Sequence, residues 1–144
     1  MQLDFAALVA KKNVTKKKGR SLSDEERTCI VSKFNGQVNS FPAILISAIP
    51  EDEPTAYATD ISNLFLRMGF RTGVLRGWSK QPDARGLMVG LKDPDHPSDL
   101  AIKFIGWMTD CKLLTHKPIK YNSFRSLLPF AAAMDFDLFI GPAK

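Results

Sequence analysis

The chain has 144 residues, 44% hydrophobic and 24% charged, with a formal net charge of +5. Those values describe one globular domain: too few residues for two cores, too apolar for a disordered tail, and no apolar run near the roughly 20 residues of a membrane-spanning helix. The charge is unevenly placed. Residues 1–20 carry Lys11, Lys12, Lys16, Lys17, Lys18 and Arg20 against Asp4 alone, a net +5, whereas residues 21–144 hold 14 side chains of each sign.

Residues 1–20 therefore read as a basic, flexible arm in front of a single neutral domain, 21–144. Repelling lysines at 16–18 and the absence of an apolar face argue against order in the arm. The apolar stretch 5–10 is too short for a signal peptide, and its basic residues follow it instead of preceding it.

Order is expected from Ser23, which with Glu26 forms a capping box for a helix that runs to about Phe34 and stops at Asn35-Gly36. The continuous apolar run 43–49 reads as a central strand covered on both faces. After Pro50, Pro54 opens a second helix with Tyr57, Ile61, Leu64, Phe65 and Met68 at helical spacing, closed by Gly69. Residues 70–78 and 86–92 read as two strands parted by the polar turn 79–85. Ser98 caps a third helix through Cys111, and a short strand is expected within 113–121. Residues 122–134 read as irregular or partly helical, and 136–141 as the last strand.

The order β-α-β-β-α-β with a leading helix predicts an α/β (α+β sandwich) domain with a mixed sheet of four or five strands. Only about seven residues join the second and third strands, too few for a parallel crossover, which favours a ferredoxin-like arrangement. A Rossmann-like three-layer sheet is the alternative, suggested by the very apolar first strand. Cys29 and Cys111 form no C-x-x-C pair and fall on apolar helix faces, so both are expected to be reduced core residues of a cytoplasmic protein.

Several landmarks coincide: Arg20 with Leu22, Glu53 before Tyr57-Ala58, Met68-Gly69-Phe70, Gly86-Leu87-Met88-Val89, and the terminal Phe139-Ile140-Gly141-Pro142-Ala143-Lys144. Together they resemble poorly characterised α/β domains at the cytosolic ends of short membrane-anchored bacterial proteins, over residues 20–144. The chain departs from that pattern in carrying Met68-Gly69-Phe70 for an alanine-glycine-tryptophan helix end, and in its displaced terminal lysine and proline. The resemblance implies a cytosolic, membrane-proximal role and no catalytic residues.

Two acidic turns are the candidates for chemistry. Glu51, Asp52 and Glu53 follow the first strand, and Asp93 and Asp95 follow the third; if those strand ends were neighbours, their carboxylates could hold magnesium for phosphoryl transfer. Such a pattern resembles topoisomerase-primase domains without their glycine turns. Read structurally, the same acids favour a helix N-terminus and a turn. A receiver-like site, with Lys144 as its cation, is opposed by the short 79–85 connection. His96 and His116 lack partners at triad or ligand spacing, and the phosphate-loop and nucleophile-elbow motifs are missing.

Arg67, Arg71, Arg76, Lys80 and Arg85 surround Trp78 and form a second candidate, a surface for an anionic ligand or a nucleic-acid strand. The favoured reading is a noncatalytic interaction or sensory module, near the inner membrane surface, with a protein partner and an anionic membrane contact through the arm. Nucleic-acid binding through the arm, and a magnesium-dependent enzyme on the acidic turns, are the alternatives. Apart from that magnesium, no cofactor is expected.

Overall fold

The computed structural model describes residues 19–76, 85–120 and 134–143. Lys11, Lys12, Lys16, Lys17, Lys18, Trp78, Lys80 and Lys144 lie outside the described residues, as do the 79–84 part of the polar turn and residues 122–133.

Helix α1 (Asp24–Phe34) starts on the expected capping box: the Ser23 hydroxyl accepts from Glu26 N at 3.1 Å and Glu26 Oε1 accepts from Ser23 N at 2.8 Å. Gly36, at φ +79°, turns the chain after its end. Strand β1 (Ile44–Ala48) leads to α2 (Asp52–Arg67). Helix α2 closes with Gly69 at φ +99°, its N–H donating to Leu66 O and that of Phe70 to Phe65 O. This paired termination brings the rings of Phe65 and Phe70 edge to face, 5.5 Å apart, so the helix end is fixed by an apolar contact as well as by its backbone.

Strands β2 (Thr72–Arg76) and β3 (Leu87–Leu91) follow, then α3 (Asp99–Asp110). The Ser98 hydroxyl accepts from Ala101 N and itself donates to Asp135 Oδ1, while Ser98 N donates to Asp135 Oδ2. Asp135 thereby ties the start of α3 to the residue preceding β5 (Phe136–Ile140). The strand expected within 113–121 shrinks to β4 (Ile119–Lys120). Thr115 docks beside β3 through its hydroxyl, which accepts from Leu87 N at 2.9 Å, and Pro118 has no N–H to give a ladder.

Among the described residues, the five strands form one mixed sheet, accompanied by three helices, in the order β2-β1-β5-β3-β4. β1 is parallel to β2 and to β5, β3 is antiparallel to β5, and β4 is parallel to β3. Two β-α-β units, β1-α2-β2 and β3-α3-β4, thus lie side by side, running opposite ways, with β5 between them. A ferredoxin-like sheet would part the two parallel strands of each unit by a third; here they are adjacent. β2 and β3 do run antiparallel, as their short connection requires, but β1 and β5 separate them.

The three helices among the described residues share a core with one face of the sheet. Ile44, Ile46 and Ala48 of β1, Phe136, Leu138 and Ile140 of β5, and Leu87, Val89 and Leu91 of β3 join the inward residues of α1, α2 and α3. Phe34 is its aromatic centre, with ring centroids of Trp107 at 4.9 Å, Phe65 at 5.1 Å and Phe104 at 5.8 Å. Ser47, Met88, Asp137 and Phe139 point to the other face and are fully buried as well.

The cysteines are not reduced. Cys29 of α1 and Cys111 at the end of α3 form a disulfide with Cα atoms 5.6 Å apart. Each cysteine lies on an apolar helix face, as expected, but those two faces meet each other, and the pairing depends on helix packing that no local pattern records.

Candidate functional site

The lead-in to the domain is built onto α2. Glu53, Tyr57 and Asp60 recur at i, i+4 and i+7, so they form one stripe along that helix. Arg20 lies across its first two members. Its Nε donates to Glu53 Oε2 at 2.9 Å, one terminal nitrogen donates to Glu53 Oε1 at 2.7 Å, and its backbone N–H donates to Oε2 at 2.8 Å. The same terminal nitrogen reaches Gly141 O at 2.6 Å, and the guanidinium sits 4.9 Å from the centre of the Tyr57 ring. At the third member, Asp60 accepts from Leu22 N at 2.8 Å and pairs with Arg27 of α1 at 3.6 Å. Leu22 is buried beneath the connection.

The planar fork of arginine matches a carboxylate in two places at once, which explains why one residue can fix this geometry. Its hydrogen bonds hold the Glu53 carboxyl below the ordinary value of 4.5, against the opposing effect of partial burial. Burial is the main cause that pushes the Tyr57 phenol well above its usual range. Gly19 has φ +106°, and a side chain there would overlap Glu53. Arg20 therefore belongs to the body and not to a free basic arm. Its charge is engaged by Glu53 and Gly141 within the described domain.

The two acidic turns do not meet. Ile140 of β5 lies opposite Ala48 of β1 and Leu87 of β3, while Leu91, at the far end of β3, lies opposite Phe136. Glu51, Asp52 and Glu53 thus follow one end of the sheet, and Asp93 and Asp95 follow the other, about 13 Å away along β5. Metal–oxygen bonds of about 2.0–2.6 Å cannot bridge that distance. Glu53 is engaged by Arg20. Asp93 organises its own turn, accepting from Asp95 N at 3.1 Å and meeting His96 Nδ1 at 3.0 Å; these bonds, that to His96 first, lower its pKa. Among the described residues, no group of three or more His, Cys, Asp or Glu side chains is placed to hold a metal ion.

The arginine surface is dispersed too. Arg67 and Arg71 are exposed near the start of β2, and Arg76 lies at its other end. Arg85 precedes β3, three strand positions across the sheet, and donates to Ala143 O at 3.2 Å. These residues group by their position along the chain around the second strand, whereas both β1 and β5 stand between that strand and β3.

A buried polar contact went unread. Ser47 donates to Asp137 Oδ2 at 2.9 Å, joining β1 to β5 within a wholly buried layer. The aspartate interrupting the apolar strand 136–140 was its visible signal. Comparison with protein-family models, curated proteins and solved structures returned no match.

Proposed function

We infer that this chain is a noncatalytic interaction module that residues 1–18 hold at an anionic membrane surface. The Arg20 clamp is the observation that carries this reading. A polybasic segment gains about 1 kcal/mol per Lys or Arg near an anionic leaflet. That attraction positions a folded body only if the junction between them is fixed. Here the junction is fixed by four polar contacts from Arg20 and one from Leu22. With Arg20 engaged, Lys11, Lys12, Lys16, Lys17 and Lys18 are the cations assigned to the surface.

The resemblance to membrane-anchored domains supports the same placement. The cytoplasmic side loses one support, because the expectation of reduced cysteines does not hold; the disulfide favours an oxidising compartment. No helix among the described residues is long and apolar enough to cross a membrane. Nucleic-acid binding by the same lysines remains the competing reading, while the opposed acidic turns leave the magnesium-dependent reading without a shared site.

Flotation of the full chain with vesicles tests the proposal. Binding is expected to phosphatidylcholine vesicles containing phosphatidylserine and not to phosphatidylcholine alone, with duplex DNA a weak competitor. Equal partition to both vesicle types, or DNA binding that outcompetes the anionic vesicles at physiological salt, overturns it.

A further inference from the structure

Opposite the side it buries in the core, helix α3 leaves a large apolar side chain, Ile102, in solvent. Ala101, Phe104 and Met108 point inward and are fully buried. On the opposite side Ile102 is 54% exposed, and Gly106 and Thr109 lie exposed beside it, while Ile105, on their flank, is half-buried and packs against the core. Apart from its own turn of helix, nothing lies within 4 Å of where a Gly106 side chain would project, so another backbone can approach the helix closely there. Along the Ile105 flank runs a groove of about 370 Å³, continued by Leu114 and Pro118.

The charges around this face are arranged to complement themselves. Asp99 and Lys103 stand toward the start of the helix, Asp110 and Lys112 at and beyond its end, and all four are exposed. Lys103 and Asp110 are seven residues apart and share one flank. A twofold axis perpendicular to the helix at Gly106 reverses its direction and keeps the flanks matched. Lys103 then meets Asp110 of the second copy, and Ile102 packs beside Thr109. A parallel pairing would set each charge against its like. Asp110 already lies 3.3 Å from Lys33 in an exposed pair, which leaves its carboxylate open to a second cation.

We propose that the chain forms a symmetric dimer through α3, two antiparallel copies crossing at Gly106, with Ile102 and the adjoining groove supplying the apolar contact. This goes beyond the membrane reading and does not depend on it. A 12-residue helix is about 18 Å long, and such a contact falls at the low end of specific interfaces, so association in the micromolar range is expected.

Sedimentation velocity of the full chain from about 1 to 300 μM is the test, with circular dichroism to verify each variant's fold; the concentration range brackets the micromolar affinity expected for a small interface. Wild type should pass from monomer to dimer, and Ile102→Glu should raise the dissociation constant at least about tenfold. Lys103→Glu should weaken association, and adding Asp110→Lys to it should restore much of the loss, an outcome that general destabilisation does not produce. A chain that stays monomeric over the whole range, including one whose α3 face instead takes a different protein, overturns the proposal. So does a dimer indifferent to Ile102→Glu, or one that the charge swap leaves weak.

Discussion

Arg20 and Glu53 show how a charged pair fixes a chain boundary. Side-chain exposures of 22% and 28% put the pair between a solvated ion pair and a buried one. Charge-assisted hydrogen bonds in such settings stabilise by about 1–2 kcal/mol after allowance for solvent screening. Glu53→Gln should therefore lower the melting temperature by a few degrees at neutral pH, about 2–5 °C for each kcal/mol lost in a domain of this size. Because folding depresses the carboxyl's pKa below 4.5, its contribution is fully present above that value and is lost as the pH falls through the lower, folded one. Thermal melts of both proteins from pH 7 to pH 3 should show the gap closing below about pH 4.5. A gap that persists unchanged at pH 3 would mean that Glu53 acts through packing alone.

The elements differ in how openly the sequence announced them, and the difference is one of range. The Ser23 capping box, the Gly69 termination and the Ser98 cap are decided within a few residues, and α1, α2 and α3 begin and end close to where local chemistry puts them. The continuous apolar character of residues 43–49 likewise foretold a strand buried on both faces. Strand order was not legible, because the place of β5 between β1 and β3 is settled by burial of Phe136, Leu138 and Ile140 against helices far away in sequence. Strand direction was hidden in the same way: β3 runs antiparallel to β5 and so to β1, which sends the two acidic turns to opposite ends of the sheet. The disulfide belongs to this long-range class: it joins α1 to the end of α3 across 82 positions. Closing a loop of that length restricts the unfolded chain, and removing such a link costs about 2–5 kcal/mol. Urea unfolding of wild type with and without reductant, and of Cys29→Ala with Cys111→Ala, should show the oxidised protein more stable by that margin. Equal midpoints, or two free thiols in protein isolated without reductant, would remove the disulfide from the native state.

At the scale of the molecule, a body of net charge +1 is joined to a segment holding five lysines by a junction clamped near the end of the sheet where β1 and β5 finish. Membrane and nucleic acid both attract such a segment, and both attractions weaken with salt, so affinity alone does not separate them. A membrane surface also offers an apolar boundary. Phe5, Leu8 and Val9 in the same segment can insert there, each contributing on the order of 1 kcal/mol or more that salt does not screen, whereas duplex DNA offers no comparable sink. Phe5→Ser with Leu8→Ser should therefore leave vesicle binding at low salt only slightly reduced, since the lysines still act. At about 0.5 M salt, where the screening length has fallen to a few ångströms, the double variant should release vesicles that wild type retains. DNA binding should fall with salt equally in both proteins. Should the double variant hold anionic vesicles at high salt as well as wild type does, the apolar residues take no part, and attachment would rest on the lysines alone.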